Sequence, residues 1–204
     1  MAGTGKINAT LDASDELYLG RMPHIKHWIE DMEARKADLT DPDEIEMMRV
    51  WIEHVAAEGG LDLHTACVTL TDDGCSRTWG GGMPEGGIMS VTISNDDRRT
   101  FYERAFVEAR DTMHLQEMVT ERMVVGKDGI AFDGVLHVVS RGSQLPWAGA
   151  GRPEHVGPDE YCLVSRRVSG WNSFRDGKIV GEDRYRDQRV HVEKVDWKPG
   201  QPVD

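Results

Sequence analysis

Three stretches of the sequence concentrate side chains able to do chemistry. In "GKIVGEDRYRD", residues 177–187, Glu182, Arg184 and Arg186 alternate with Asp183, Tyr185 and Asp187. "GIAFDGVLHVVSR", residues 129–141, carries Asp133, His137 and Arg141, and "MHLQEMVTERMVV", residues 113–125, carries His114 and Arg122. An imidazole titrates near neutral pH and can take or deliver a proton, so His137 is the first choice for a general base or acid. A neighbouring carboxylate, Asp133 or Glu182, would fix its tautomer and support the imidazolium. Arg184 stays charged at any working pH, which suits a developing alkoxide, enolate or phenolate rather than proton removal.

These residues cooperate only if the strands that carry them present them together. Residues two apart on a strand share a face, which groups Glu182 and Arg186 with Arg184 and sends Asp183, Tyr185 and Asp187 to the other side. A two-residue turn at Lys127 and Asp128 sets Val125 opposite Ile130 and Arg122 opposite Asp133. The same register sets Met118 opposite His137 and His114 opposite Arg141, with Val135 and Val139 on that face. A one-residue slip would send half of this set to the opposite face.

The scaffold is legible in outline. Residues 1–13 read as a loose arm, and from Asp15 to about Leu39 the residues Leu19, Met22, Ile25, Ile29 and Met32 recur at helical steps, with Pro23 at a start or kink. "TDPDEIEMMRVWIEHVAAEGG" is the clearest helix: Asp41 caps it, Pro42 suits its first turn, and Gly59 and Gly60 stop it. "LDLHTACVTL" is ambiguous between helix and strand. "DDRRTFYERAFVEARD" predicts a helix capped by Asn95 that buries Phe101, Ala105 and Phe106. Beyond Met113 four β-type segments are separated by "GKDG", a loop from Gly142 to Pro158, and "RDG". Helices followed by hairpin-linked strands predict an α+β fold in which helices cover the concave face of a curved antiparallel sheet and leave a pocket between the layers.

Composition narrows the function. The 204 residues carry 24 Lys and Arg against 36 Asp and Glu, a net charge of −12, and no basic stripe. A phosphate-backbone binder needs such a stripe to displace counterions, so no nucleic-acid partner is expected. No apolar run approaches the roughly 18 residues of a membrane span, and the N-terminus lacks a basic segment followed by an apolar one. A soluble, cytoplasmic protein with no membrane partner is the expectation. Cys67, Cys75 and Cys162 show no metal-type pairing, and His24 with His27 lacks an evident third ligand, so no metal is expected. "GTG" and "GGGMPEGG" lack the strand and helix of a phosphate loop, and the latter reads as a loop able to cover a pocket mouth. Trp51, His54 and Trp79 are candidates to line a cavity, and Trp147 and His155, in the loop before Pro158, to touch a ligand or neighbouring subunit.

The capped helix, the element ending in "TDDG", the helix built on "FYERAF", the hairpin "ERMVVGKDGIAFDGVL" and the closing "FRDGKIVGEDRYRD" together resemble the nuclear transport factor 2-like superfamily. That superfamily includes ketosteroid isomerases, SnoaL-like polyketide cyclases, limonene epoxide hydrolases, scytalone dehydratases and cofactor-free diarylpropane lyases. The resemblance covers about residues 41–195 and implies a cone-like half-barrel with helices over its concave face. Residues 1–40 are an arm and an added helix, and 41–204 form the resembling domain. Six residues after Lys178, where the hydrolases and cyclases keep a catalytic aspartate, this sequence has Arg184. The isomerase base falls near Thr78, and the paired Arg and Asp of the hydrolases fall at Val135 and His137. If position 184 faces the pocket, as the resemblance implies, Glu182 and Arg186 face it too.

The expected activity is that of a cofactor-independent lyase or isomerase moving a proton on a hydrophobic, hydroxylated aromatic or polycyclic molecule, with a dehydratase or carbon–carbon lyase favoured. His137, Arg184 and Asp133 would be catalytic. Arg122, His114, Glu182, Met118, Val135, Trp51, His54 and Trp79 would bind substrate. A non-catalytic ligand-binding or association module, such as an oxygenase small subunit, is the alternative, and a polyketide cyclase or epoxide hydrolase a second. A homodimer or homotrimer through the outer sheet face is expected from the resemblance.

Overall fold

A computed structural model describes residues 22–80, 89–145, 152–187 and 190–201. Residues 1–21, which hold the expected arm and the start of the expected first helix, the glycine-rich loop at 81–88 and Trp147 lie outside the described residues.

Helix α1, Ile25–Ala37, is capped by the His24 imidazole, whose Nδ1 accepts from the Lys26 amide. Helix α2, Pro42–Gly60, starts where Asp41 accepts from the Asp43 and Glu44 amides and ends on Leu61 in the left-handed region (φ 58°). The ambiguous segment divides, with helix α3 at Leu63–Val68 followed by a strand from Leu70. Helix α4, Asn95–Glu108, is capped one residue earlier than predicted, by the Ser94 hydroxyl, while the Asn95 amide donates to the Thr71 carbonyl. Arg98, Tyr102 and Phe106, four apart, form its buried stripe, and Phe101 is exposed.

The strands are β1 Leu70–Gly80, β2 Met89–Ser94, β3 Gln116–Gly126, β4 Gly129–Arg141, β5 Tyr161–Arg175, β6 Lys178–Arg186 and β7 His191–Val195. They form one curved, unclosed sheet in the order β2-β1-β6-β5-β4-β3, with β7 pairing β5. Every pairing is antiparallel except β1 with β6, which is parallel, so the sheet is mixed. At the second tight turn Asp176 (φ 53°) and Gly177 (φ 71°) both adopt the left-handed conformation that a two-residue hairpin requires.

The helices pack on the inner face. Trp51 of α2 stacks on Phe132 of β4 with ring centroids 5.1 Å apart and meets Trp28 of α1 edge-on. Met118, Ile130, Val168 and Ile179 complete this core from the sheet side. A smaller cluster of Leu115, Val139, Tyr161, Leu163 and Trp197 covers part of the outer face. Among the described residues no helix is long and apolar enough to cross a membrane.

Candidate active site

One irregularity decides which side chains meet. Near the "GKDG" turn the predicted register holds, with Val125 opposite Ile130 and Arg122 opposite Asp133. The register then shifts between Thr120 and Arg122, leaving Glu121 as an extra residue on β3, a β-bulge. Beyond it Met118 pairs with Leu136 and Glu117 with His137. Because side chains alternate with period two, the bulge puts Met118 on the inner face and leaves His137 on the outer one.

Following the pairs across the sheet separates two rows. Phe132 pairs with Gly170 and Gly170 with Arg184; Asn172 pairs with Glu182, and Val168 with Arg186. All lie on the face of the Trp51 stack. His137 pairs with Ser165, and its Nδ1 lies 2.8 Å from the Ser165 hydroxyl; Asp133 pairs with Ser169, which pairs with Tyr185. The predicted partnership of His137 and Asp133 with Arg184 is therefore not formed: they occupy opposite sides of the sheet.

The other predicted residues divide the same way. Arg122, Val135 and Trp79 lie on the outer face, with Trp79 stacked on Tyr185 at 4.7 Å and the Arg77 guanidinium over it. His114 precedes β3 and stands beside His24, ring centroids 5.7 Å apart, while Arg141 donates to Asp111 and to the Tyr161 hydroxyl. Glu182, Arg184, Met118, Trp51 and His54 lie inside. His155 is exposed. Among the described residues no group of three or more His, Cys, Asp or Glu is placed to hold a metal ion.

The inner face holds a continuous polar chain that joins three helices to the sheet. The Glu182 carboxylate accepts from Arg98 of α4 and, at 2.7 Å, from Arg184. Arg184 also donates to Asn172 Oδ1 at 2.7 Å, with its guanidinium 5.0 Å over the Phe132 ring. On the other side Arg98 donates to the Tyr102 hydroxyl at 2.8 Å. That hydroxyl lies 2.8 Å from Glu58 Oε1 and 3.1 Å from His54 Nε2. His54 Nδ1 is 2.7 Å from the Thr69 hydroxyl.

Donor counting places a proton on His54 Nδ1. Thr69 spends its single proton on the Thr65 and Ala66 carbonyls, so it accepts from His54 Nδ1–H. His54 Nε2 faces both the Tyr102 hydroxyl and, at 3.5 Å, Glu58 Oε1, so Tyr102, His54 and Glu58 form one hydrogen-bonded cluster. Burial pushes the Glu182 carboxyl upward, but Arg98 and Arg184 outweigh it and hold the group well below the usual carboxylate range. Burial and the Glu58 charge push the Tyr102 phenol well above its ordinary value. Burial also pushes Glu58 upward, and the hydrogen bond and charge of His54 turn the balance downward. Glu182 is thus a fixed acceptor, and Tyr102 a neutral donor.

Sequence reasoning missed Arg98, Tyr102, Glu58 and Asn172. A signal existed: Arg98 and Tyr102, and likewise His54 and Glu58, are four apart, so each pair shares one helix face. Assigning Phe101 to the core turned α4 by about one position and hid it.

No protein-family model matches the chain, and no curated protein matches it. Solved structures do. A Shewanella putrefaciens protein described as a SnoaL-like polyketide cyclase superposes with a TM-score of 0.50 at 13% identity, covering 76% of this chain and 86% of that one. The chain has the nuclear transport factor 2-like fold. A second SnoaL-like cyclase so described, from Shewanella denitrificans, gives 0.48 at 13% identity over 72% and 92% of the two chains. An epoxide hydrolase from M. tuberculosis, described as LEH-like, gives 0.44 at 16% over 70% and 83%. At such identities the likeness is one of nuclear transport factor 2-like architecture; the polar chain described above is read from this protein's own residues.

Proposed function

We propose that this protein is a cofactor-independent enzyme of the lyase or isomerase type that moves a proton on an oxygenated small molecule at the inner face. Arg184 and Arg98 stabilise negative charge developing on a substrate oxygen, and the Tyr102, His54 and Glu58 group holds the transferred proton. Glu182 orients both guanidinium groups, and His54 replaces His137 as the imidazole of the site. The observation that carries the proposal is a set of unpaired donors. Arg98 Nη1 and Asn172 Nδ2 are buried without a hydrogen-bond partner among the described residues. Such groups cost about 1–3 kcal/mol each when left unpaired, so a built array of them is expected to meet an acceptor.

The test is turnover of a panel of aromatic and polycyclic alcohols and ketones without added cofactor, with products read by mass spectrometry. Tyr102→Phe is expected to lower kcat/KM by about 100-fold or more, the range of a positioned acid or base. Arg184→Met is expected to cost about 100- to 1000-fold through kcat, as for other oxyanion donors. Unchanged turnover in both variants would remove the proposal.

An association module is the second reading, supported by the outer face, where Trp171, Tyr185 and Val124 are exposed large apolar side chains. Sedimentation of Tyr185→Arg tests it: a subunit contact through that face predicts a smaller species than wild type, and an unchanged sedimentation coefficient would remove this reading.

A further inference from the structure

The chain enters α1 by crossing the edge of the sheet. Met22 packs on the outer-face cluster that includes Leu115, Val139 and Trp197, whereas Ile25, three residues on, lies in the inner core, so close to Gly59 of α2 that no side chain fits there. His24 sits at the crossing, where the Ile25 amide donates to the His114 carbonyl at 2.9 Å. The His24 ring lies 5.9 Å from that of His27 and 5.7 Å from that of His114, centroid to centroid. Glu117 of β3, 6% exposed, faces this group: its carboxylate accepts from the His24 amide at 3.4 Å and lies 3.0 Å from His27 Nδ1. On the next strands His137 stands opposite Glu117, Ser165 opposite His137, and His191 opposite Ser165. Five of the eight histidines therefore lie on or beside one cross-strand row. Histidine is the side chain whose ordinary charge change falls between about pH 5 and 8, so mild acid alters charge chiefly at this end of the sheet.

Acid acts on α1 in three ways at once. His24 Nδ1 must be unprotonated to accept from the Lys26 amide, so protonation there ends the helix cap. The resulting cation stands at the positive end of the helix dipole. It also meets like charge from His114 and His27 as they protonate, and from Lys26, which pairs with Glu30 at 3.6 Å. Burial and these neighbours already push His24 downward, and Glu117 draws it only partly back. At the far end of α1 the Arg35 guanidinium donates to the Thr120 carbonyl at 2.6 Å, a contact that does not titrate in this range, so release begins at the N-terminal turn.

We infer that His24, His27 and His114, gathered at Glu117, form an acid-sensitive clasp that holds α1 on the edge strand at neutral pH and releases it in mild acid. Release bares Trp28 and Met32 and the part of α2 they cover, Trp51 included. The inference concerns the docking of one helix and does not depend on the proposed activity.

Hydrogen exchange of the full chain, read by mass spectrometry at pH 7.5 and 5.5 and corrected for intrinsic rate, tests the inference. Strand β6 is the internal reference, because its buried carboxylate, Glu182, is held below the usual range and keeps its charge at both pH values. One histidine that stays neutral in the docked helix and titrates normally in the released one speeds opening by at most about tenfold at pH 5.5. Peptides from α1 are therefore expected to exchange about three- to tenfold faster at pH 5.5 than at 7.5, with β6 unchanged. His24→Ser keeps a capping oxygen that does not titrate and should cut the acid response to under about twofold. His114→Gln withdraws a neighbouring charge while leaving the capping imidazole in place, and should reduce the response as well. An α1 exchange rate that ignores pH, a rise shared equally by β6, or a full acid response retained in both variants would each overturn the inference.

Discussion

Replacing Glu182 with glutamine removes the one carboxylate that compensates two inner guanidinium groups, and the structure says which of them suffers. Arg184 retains Asn172 Oδ1 and keeps 19% of its side chain exposed, so water can take over part of its solvation. Arg98 is 6% exposed and would be left with the neutral Tyr102 hydroxyl as its remaining described hydrogen-bond partner. Removing one partner of a buried ion pair costs about 3–5 kcal/mol, mostly the penalty of the stranded charge. With a urea dependence of about 2 kcal/mol per molar, the unfolding midpoint falls by about 1.5–2.5 M. The assay is equilibrium unfolding followed by tryptophan fluorescence. The pH dependence supplies a second check. The folded carboxyl lies below its unfolded value of about 4.3, so its contribution is complete above that pH and declines as pH falls below it. Wild type should therefore lose more stability than Glu182→Gln between neutral pH and strong acid. A midpoint shift under about 0.5 M, or parallel acid profiles, would show that Arg98 does not depend on Glu182.

The remaining expectations are narrower. Gly170→Ala drives a methyl carbon into the Phe132 ring, which already packs against Trp51 and the Arg184 guanidinium, so thermal unfolding should reveal a loss of about 1–3 kcal/mol. Trp51→Ala empties the centre of the helix–sheet core and should cost about 3–5 kcal/mol by chemical denaturation. His137→Gln, on the outer face, should leave kcat/KM within about threefold of wild type; a loss approaching the 100-fold of an acid or base would return proton transfer to that imidazole. Burial, then the neighbouring His114 and His27, pushes the His24 pKa below its ordinary value, so its helix-capping contribution is full above about pH 6.5 and lost as pH falls below it. Hydrogen exchange at the Lys26 amide, corrected for intrinsic rate, should be less protected at pH 5.5 than at 7.5; equal protection would mean the cap does not titrate.

Much of the architecture was legible because it is written in short-range signals. Asp41 before Pro42 and the "GKDG" and "RDG" turns need only local chemistry, and each is found where the residues predict it. Inner-face placement of Glu182 and Arg184 also follows from alternation once position 184 is taken to face inward. The failure at His137 has a different origin. β4 pairs with β5 without a register shift, so the bulge at Glu121 moves β3 residues such as Met118 and not His137. The error lies in taking the Asp133–His137 row of β4, rather than the Phe132–Leu136 row, as the pocket face, and hydrophobicity does not separate the two, since Val135 and Val139 lie on one and Ile130 and Leu136 on the other. The polar chain was illegible for a related reason. Arg98 and Tyr102 are residues a sequence reader assigns to solvent or core singly, whereas their burial depends on a carboxylate from a distant strand.

That dependence sets an order of events. β6 occupies the middle of the sheet although it is nearly last in the chain, and Arg98 must wait for Glu182, 84 residues downstream, before its charge has a counterpart. While the chain emerges, the helices and the β3–β4 hairpin can form early. The central gap between β1 and β5 stays open until β6 is inserted, so closing the sheet and completing the candidate site are one late, long-range step. A nascent or C-terminally shortened chain that lacks β6 would expose two unpaired sheet edges and a guanidinium with nothing to hold.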